Sequence, residues 1–377
     1  MEKRYLKNLG ITTSLLGFGT MRLPLTSDEK IDEPLAERMI DKAIASGVNY
    51  IDTAYPYHNG DSEPFVGKVL KKYERKSFYL ATKLPQWYIN SIEDAKRIFE
   101  EQLKRLDTEY IDFYLLHSMT GEVFDKMVLL GVVSYLEEMK AKGKIRYLGF
   151  SFHSSYEDFE KIITFRYWDF CQIQYNYIDT EEQAGERGYA LTEKLEIPLV
   201  IMEPVKGGAL ATLSPDLEEQ LKLLNPEATP SSYALRWVGS HPNVKVVLSG
   251  MSTMDQVDDN LNTFKNFKML SNQERTMLEQ LRDTLISRSG NGCTGCRYCL
   301  PCPSGVDIPM CFKMWNQYRM FQNYNVIKVN WEHMVNQESK PNACKECGRC
   351  ETFCPQHISI RENLKKVQTE LSNPQYL

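Results

Sequence analysis

Two groups of cysteines near the end of the chain have the spacing of metal ligands. CTGCRYCLPCP (293–303) places a cysteine at every third position, and ACKECGRCETFCP (343–355) fits the iron–sulfur pattern C-x₂-C-x₂-C-x₃-C-P. The cysteines of the two groups are Cys293, Cys296, Cys299 and Cys302, followed by Cys344, Cys347, Cys350 and Cys354. Thiolates at this spacing can hold redox-active iron, so the sequence predicts a one-electron centre here.

The fourth cysteine of each group lies past the turn and precedes a proline. Three thiolates of one tight loop can reach three corners of a cubane, whereas the fourth points toward a second cluster. The expected ligand sets of the two [4Fe–4S] clusters are Cys293, Cys296, Cys299 and Cys354, and Cys344, Cys347, Cys350 and Cys302. Two zinc sites are the alternative, but zinc needs only two cysteines from each turn. Cys311 could replace a ligand because the first group is one residue short.

A different chemistry is indicated where three successive predicted strands end, in Asp52, Lys83 and His117. Each residue follows an apolar run, and Tyr57 comes five residues after Asp52. A lysine ammonium favours the phenolate of a nearby tyrosine and lowers its pKa, and a carboxylate orients that lysine. Such a tyrosine can protonate an alkoxide as it forms, while a neutral histidine donates a hydrogen bond to the same oxygen. These residues therefore predict reduction of a carbonyl group by hydride, with Tyr55 as the competing phenol.

Alternating strand and helix patterns must position these residues. Eight β-rich runs are separated by stretches with apolar residues every three or four positions. The predicted strands are 13–20, 48–54, 77–83, 110–117, 145–151, 169–175, 197–203 and 245–250. Most are almost wholly apolar, as expected of parallel strands buried on both faces. Eight such units predict a closed (β/α)₈ TIM barrel, with functional residues at the carboxyl ends of the strands. A doubly wound open sheet is the alternative, although GFGTMRLP lacks the G-x-G-x-x-G of that fold.

The motifs DTAxxY, ATK and LLH resemble the catalytic residues of the aldo-keto reductase family over roughly residues 5–285. The resemblance implies a nicotinamide cofactor, NAD(P)H, bound without a Rossmann fold. It also implies that Tyr57 is the general acid, that Asp52 and Lys83 tune it, and that His117 orients the carbonyl. The substrate would be a small carbonyl compound or alcohol.

The same resemblance implies cofactor-binding positions at later strand ends. Ser151 and Gln174 correspond to residues that hold the nicotinamide carboxamide, although Phe152 replaces the usual asparagine. Met202 stands where the family often has an aromatic residue that stacks on the nicotinamide, and a thioether can pack on a ring.

The segment LSGMSTMDQVDDN resembles the loop that holds the pyrophosphate and adenosine. In it, Ser249 and Gly250 end the last strand, and Asn260 occupies the adenine-contacting position. Gln256 stands where a basic residue often recognises a 2′-phosphate, so NADH and NADPH both remain open.

Composition and length set the remaining expectations. A chain of 377 residues with a net charge of −5 predicts two domains and gives no indication of nucleic-acid binding. No signal peptide or apolar run of about 18 residues is evident, which favours a soluble, cytoplasmic protein without a membrane span. We place the barrel at 1–287 and a mainly α-helical domain, which resembles dicluster ferredoxins, at 288–377.

These observations predict an oxidoreductase that transfers hydride between nicotinamide and a carbonyl or alcohol. Its two clusters would exchange single electrons with a redox partner protein or would sense redox state. Hydride carries two electrons and a cubane accepts one, so direct exchange needs a converter such as a flavin. The alternative is a non-catalytic nicotinamide sensor or electron-transfer subunit, which would have no need of a tuned acid.

Overall fold

The computed structural model describes residues 1–334 and 337–372. Its ten strands within those residues are β1 (Lys3–Leu6), β2 (Ile11–Ser14), β3 (Leu16–Gly19), β4 (Tyr50–Asp52), β5 (Tyr79–Leu84), β6 (Ile111–Met119), β7 (Ile145–Phe152), β8 (Phe170–Gln174), β9 (Leu199–Met202) and β10 (Val244–Gly250). Strands β3 to β10 form a closed barrel in which all paired neighbours run parallel. The closed barrel confirms the predicted fold class, and the open-sheet alternative is wrong.

Helices follow the barrel strands and form the outer layer. The helices of the described residues are α1 (Glu33–Ala45), α2 (Ser62–Leu70), α3 (Ile92–Arg105), α4 (Gly121–Leu129), α5 (Val132–Ala141), α6 (Tyr156–Phe165), α7 (Gly185–Lys194), α8 (Pro215–Leu224), α9 (Pro230–Gly239), α10 (Met254–Lys265), α11 (Asn272–Ser287), α12 (Ile308–Phe321), α13 (Arg349–Thr352) and α14 (Ile360–Ser372). Side-chain caps fix several starts: Ser91 and Asp94 form a capping box at α3. At the end of α1, Gly47 takes the left-handed conformation that turns the chain back toward the barrel (φ 95°).

The barrel strands separate two apolar clusters. One lies inside the barrel and includes Tyr50, Phe113 and Phe170, whose rings meet edge to face. The other lies between the strands and the helices. Burial on both faces explains why the strands have almost no polar alternation. Polar residues near the carboxyl ends of the strands are therefore exceptions to this pattern, and their burial has to be explained.

The amino-terminal ends of two strands are braced by buried carboxylates. Asp112 accepts a hydrogen bond from the Leu80 backbone amide at 3.0 Å and pairs with Arg75 at 2.7 Å and Arg146 at 2.8 Å. Asp169 braces the next pair in the same way. These contacts lie at the end of the barrel opposite His117, where residues stabilise the fold rather than perform chemistry.

The first predicted strand, 13–20, contains a feature that the sequence pattern did not reveal. Residues 13 and 14 belong to β2, which pairs with β1 in an antiparallel hairpin, and the barrel strand begins only at Leu16. Leu6 of this hairpin is buried in the cluster that fills the barrel interior. Gly10, with φ of 67°, supplies the left-handed turn residue.

The chain divides into two compact units, each with its own core. One comprises Met1–Lys206 and Ser231–Ser271, and the other comprises Gly207–Pro230 and the residues from Asn272 onward. In the second unit α12 and α14 pack through a cluster that includes Trp315, Ile360 and Leu364. A boundary after residue 287 remains a prediction. No helix of the described residues has the length and apolarity needed to span a membrane.

Candidate functional site

A buried ion pair lies at the carboxyl ends of β4 and β5. The Nζ atom of Lys83 is 2.6 Å from Oδ1 of Asp52, and the two side chains are 1% and 3% exposed. The same ammonium donates to the Thr53 carbonyl oxygen at 2.8 Å and lies 3.4 Å from the hydroxyl oxygen of Tyr57. Its position is therefore fixed by three oxygen atoms from two neighbouring segments.

Burial dominates the electrostatics of this group. It raises the pKa of Tyr57, and the nearby Lys83 ammonium opposes that shift without reversing it. The expected influence of the lysine, which lowers the pKa of this phenol, is thus present, but desolvation of the phenolate is larger. Burial acts to lower the pKa of Lys83, but Asp52 and Tyr57 outweigh it and the net pKa is raised. Both raised pKa values favour a charged lysine beside a protonated tyrosine.

His117 is aimed by a bulge in β6. The register of β6 against β7 shifts between Leu116 and Met119, and Ser118 has a positive φ of 56°. The Ser118 amide donates to Oγ of Ser151 at 2.8 Å. Bulges next to active sites redirect a side chain in this way. In this structure Ser151 thus supports the turn that carries His117, and its predicted contact with the carboxamide remains a prediction.

The His117 imidazole is neutral. Burial, the Lys83 ammonium and His153 together hold its pKa well below the usual value. Its Nδ1 atom is buried without a hydrogen-bond partner among the described residues, and the Trp87 ring meets it edge-on at 5.0 Å. A neutral imidazole has one N–H group, which can donate a hydrogen bond to a substrate oxygen. It lacks the second, acidic proton of an imidazolium, which would compete with the proton of Tyr57.

The loop that carries Tyr57 is shaped by two left-handed residues, His58 and Asn59. Nε2 of His58 lies 3.0 Å from the Thr20 carbonyl oxygen and ties the loop to the end of β3. Tyr55, the competing phenol, donates to Glu101 at 3.2 Å instead of contacting Lys83. The structure therefore brings Tyr57 rather than Tyr55 to the ammonium.

Glu63 is a buried polar residue of this region that sequence analysis missed. Its side chain is 0% exposed, and its Oε1 accepts from Thr82 and from Gln102, each at 2.6 Å. In α2 it shares one face with Val66 and Leu70, at helical spacing. The sequence did contain a signal for this residue, namely a carboxylate on the apolar face of a predicted helix.

The predicted adenosine-binding residues lie together at the end of β10. The Nδ2 atom of Asn260 donates to Oγ of Ser249 at 2.8 Å, and both residues are buried. Gly250 pairs with Gly19 across the seam of the barrel, and a Cβ atom at Gly250 would lie 2.8 Å from the Arg22 side chain. The two glycines leave space for an anionic pyrophosphate to come close to the backbone, and the Arg22 side chain beside them carries a positive charge.

Gln256 is exposed in the first turn of α10. Its side-chain Oε1 atom accepts a hydrogen bond from the Ser252 backbone amide at 2.7 Å. Its backbone amide donates to Oγ1 of Thr253, the N-cap residue. The side chain therefore caps its own helix. Recognition of a 2′-phosphate by this position has no charged group to support it.

The two predicted nicotinamide contacts differ in availability. Gln174 donates to Asp179 at 2.9 Å and accepts from Gln183 at 2.9 Å, so both ends of its amide are already used. Met202 is half-buried at the end of β9, with its sulfur 3.4 Å from Nε2 of Gln172. A thioether that accepts this weak hydrogen bond can still pack on a ring face, whereas Gln174 must exchange a partner to hold a carboxamide.

The two cysteine loops have the same backbone shape. Residues two and four positions after the first cysteine are left-handed in both: Gly295 and Arg297 in the first loop, and Glu346 and Gly348 in the second. In the second loop the Glu346 amide lies 3.4 Å from Sγ of Cys344. Such nests of backbone N–H groups around thiols suit an anionic group.

The thiols surround two cavities. One is lined by Cys293, Cys296, Cys299 and Cys354. The other is lined by Cys302, Cys344, Cys347 and Cys350, together with Cys299. The fourth cysteine of each group therefore faces the thiols of the other group, and the ligand assignment itself remains a prediction.

The arrangement of the thiols suits a cluster better than a single metal ion. Among residues 1–334 and 337–372, no three His, Cys, Asp or Glu side chains converge on one ion position. Four sulfur atoms around a cavity fit a group with iron at its corners. Burial raises the pKa of Cys299 and of Cys350 to about 11, so binding must displace protons. Cys311 lines neither cavity and donates to the Ser339 carbonyl oxygen at 3.4 Å.

Comparison with protein families identifies both parts of the chain. The model of the aldo/keto reductase family matches residues 15–283, and that of a 4Fe-4S dicluster domain matches residues 292–358. Both matches confirm the resemblance expected from the sequence. An NADH-specific methylglyoxal reductase of Escherichia coli (strain K12) is 26% identical over 329 residues, which cover 76% of this chain and 99% of that protein.

Solved structures resemble the same part of the chain. The holo form of the aldo-keto reductase AKR11C1 from Bacillus halodurans is 30% identical with a TM-score of 0.62, over 74% of this chain and 96% of that one. An aldo-keto reductase from Klebsiella pneumoniae, solved with NADPH, is 22% identical with a TM-score of 0.60, over 75% of this chain and 96% of that one. The second likeness is one of fold alone.

Proposed function

The chain belongs to the aldo/keto reductase family, and on that premise we propose that it transfers hydride between a nicotinamide dinucleotide and a small carbonyl compound or alcohol. The observation that carries the proposal is the buried Asp52–Lys83 pair whose ammonium lies 3.4 Å from the Tyr57 hydroxyl. Apolar residues of similar volume often stabilise a fold as well as a buried ion pair does. Stability alone therefore does not explain this pair, whereas a role in catalysis does.

The residues divide the work as follows. The nicotinamide, when bound, supplies the hydride. Tyr57 donates its phenolic proton to the carbonyl oxygen of the substrate, and the Lys83 ammonium stabilises the phenolate that remains. Neutral His117 donates a hydrogen bond to the same oxygen and holds the carbonyl in place. Asp52 keeps the ammonium oriented, and in alcohol oxidation each proton moves in the opposite direction.

The nucleotide would be held along the ends of the later strands. Ser249, Gly250 and Asn260 would receive the pyrophosphate and adenosine, with Gln256 beside them. Ser151, Gln174 and Met202 would surround the nicotinamide. One relative is NADH-specific, and the proposal holds for either form of the cofactor.

The dicluster domain would add one-electron chemistry. We assign two [4Fe–4S] clusters to the two cysteine-lined cavities and expect them to exchange single electrons with a redox partner protein. Because clustered cysteines stay reduced and able to bind metal in a reducing compartment, we expect the protein to be cytoplasmic. A second possibility for the clusters is redox sensing, and a nicotinamide-binding sensor without catalysis is the alternative function for the chain.

Replacement of Tyr57 by phenylalanine tests the hydride-transfer proposal. We expect Tyr57→Phe to lower kcat for reduction of methylglyoxal and of simple aldehydes by about 10²- to 10⁴-fold, because the proton donor is lost. Tyr55→Phe is the matched control, since it removes a phenol from the same loop that contacts Glu101 and not Lys83. Both variants should bind NADPH or NADH as the wild type does.

Two results would contradict the proposal. Full activity in Tyr57→Phe would show that another group donates the proton. Nucleotide binding without turnover of any carbonyl compound or alcohol in the wild type would favour the sensor alternative.

A further inference from the structure

Glu63 lies behind the catalytic residues, and no step of the proposed reaction uses it. Its carboxylate is fully buried at the start of α2, six residues after Tyr57. A buried carboxylate without a complete set of partners is costly, and here Oε2 accepts no hydrogen bond among the described residues. A cost of this kind next to an active site calls for an explanation.

One side of Glu63 holds the strand that carries Lys83. Its Oε1 atom accepts from Oγ1 of Thr82, the residue before Lys83, and from Nε2 of Gln102. That Nε2 atom also lies 3.1 Å from the Lys83 carbonyl oxygen. Tyr114 of β6 completes the network by donating to Oε1 of Gln102 at 2.7 Å. The carboxylate thus holds the Thr82 side chain directly and the Lys83 carbonyl group through Gln102.

The other side of Glu63 faces the loop that carries Tyr57. Oε2 lies 3.7 Å from Nη1 of Arg105, and that Nη1 atom has no hydrogen-bond partner among the described residues. The Arg105 guanidinium covers the Tyr55 ring, with its carbon 4.1 Å from the ring centroid. A second carboxylate, Glu101, pairs with Nη2 of Arg105 at 2.6 Å and accepts a hydrogen bond from the Tyr55 hydroxyl. Arg105 therefore links Glu63 to the segment that ends in Tyr57.

From these two sets of contacts we propose that Glu63 is a positioning residue that sets the separation between Lys83 and Tyr57. Its Oε1 atom holds the strand of the ammonium, and the attraction of its Oε2 atom for Arg105 holds the loop of the phenol. The charge matters because a neutral group at this position would keep the first set of contacts and lose the second. This inference rests on the proposed function of Tyr57.

The charge on Glu63 changes within an accessible pH range. Burial raises its pKa to about 6, and the hydrogen bonds from Thr82 and Gln102 and the charge of Arg105 oppose the shift. The other titratable groups that face it are Glu101 of α3, which raises the pKa further, and the Tyr114 phenol of β6. Below about pH 6, Glu63 becomes neutral and Arg105 loses that partner.

The carboxylate should therefore favour catalysis and oppose stability. A carboxyl group whose pKa is raised by folding stabilises the fold below its unfolded value, and this stabilisation is lost as pH rises through about 6. At pH 8 the folded protein bears the cost of the buried charge. A residue with a purely structural role would be expected to stabilise the fold at the pH where the enzyme works.

The variant Glu63→Gln tests the inference in the full-length, cluster-containing protein. Its oxygen can still accept from Thr82 and Gln102, whereas its NH₂ group would face Arg105. We expect kcat for methylglyoxal reduction to fall about 10- to 100-fold, as a misplaced donor requires, with an unchanged KM for the nucleotide. At about pH 8 the urea midpoint should equal or exceed that of the wild type. The wild-type decrease in kcat below about pH 6 should disappear.

Matched variants separate positioning from general damage. Asp112→Asn removes another buried, arginine-paired carboxylate at the opposite end of the strands, and it should lower the urea midpoint while leaving kcat unchanged. Arg105→Met should resemble Glu63→Gln in kcat, and the double variant should be no worse than either single one. Equal kcat in Glu63→Gln and the wild type would overturn the inference, as would a lower urea midpoint with lower kcat.

A measurement without turnover distinguishes failure of this inference from failure of the proposed function. The ¹³Cζ resonance of Tyr57, assigned by its absence in Tyr57→Phe, reports ionisation of the phenol. Withdrawal of the ammonium should raise the pKa of Tyr57 in Glu63→Gln. An unchanged titration would reject the positioning role even if no carbonyl substrate were found.

Discussion

Two sites of the molecule are assembled in different ways. One is the tetrad at the barrel end, which consists of Asp52, Tyr57, Lys83 and His117, and the other is the pair of cysteine loops in the second unit. Lys83 is held by three oxygen atoms at the ends of strands, and both its charge and that of Asp52 are compensated within the fold. The cysteine loops are irregular apart from the four residues of α13, and their thiols line two cavities. The first site is preorganised by the barrel, whereas the second is expected to depend on its ligand for stability.

Loss of one cysteine ligand should have the largest effect on this comparison. In Cys354→Ser, about half of the iron should be lost, because the residue is assigned to one of two four-iron clusters. We expect the second unit to lose its cooperative unfolding transition while the circular dichroism of the barrel persists. Iron and sulfide analysis and thermal unfolding under anaerobic conditions measure both effects.

Cys311→Ser is the control for that variant, because Cys311 is buried on α12 and lines neither cavity. It should retain all of its iron. Zinc in place of iron, or equal iron loss in both variants, would contradict the assignment of the ligands.

Removal of the ammonium should have the next largest effect. Lys83→Met leaves the Asp52 carboxylate buried without its cation, which typically costs about 3–5 kcal/mol of the free energy of unfolding. The activity should fall about 10²- to 10⁴-fold at the same time, because the phenolate loses its stabilising charge. Urea unfolding and steady-state kinetics provide the two measurements.

Lys140→Met is the matched control. It breaks the Lys140–Asp169 pair at the other end of the strands, where the lysine is about one third exposed. The loss of stability should be smaller than in Lys83→Met, because this ammonium is partly solvated and Asp169 keeps its hydrogen bond from the Leu148 amide. A comparable loss of stability in the two lysine variants would mean that the tetrad is no more preorganised than the rest of the barrel.

The barrel could be predicted because the information needed is local. Most buried parallel strands are short apolar runs, and the polar exceptions Asp52, Lys83 and His117 come near the ends of such runs. The β1–β2 hairpin was missed because its residues also suit the start of a barrel strand. The sequence predicted that the proline-marked cysteine of each loop turns toward the other group, and these cysteines do line the cavity of the other group, while the ligand sets stay a prediction.

The electrostatics and the hydrogen-bond partners could not be read from the sequence. The pKa of Tyr57 depends on how much water is excluded, and that depends on packing from distant segments. Gln174 was recognised as a polar residue at a strand end, but its engagement by Asp179 and Gln183 follows from the course of a later loop. Glu63 was overlooked because burial of a single carboxylate leaves only a faint signal in the helical pattern.

The smallest predicted effect is a pH dependence of stability that belongs to the barrel site. The pKa of His117 is held well below its usual value, first by burial and then by Lys83 and His153. The unfolded chain therefore binds a proton below about pH 6.5 that the folded barrel excludes. Stability from this residue is present above that pH and is lost as the pH falls. His117→Gln should thus lose less stability than the wild type between about pH 8 and about pH 5.5 in urea unfolding. Equal losses in the two proteins would show that the imidazole is solvated, and that the fold alone does not prepare this site for its substrate.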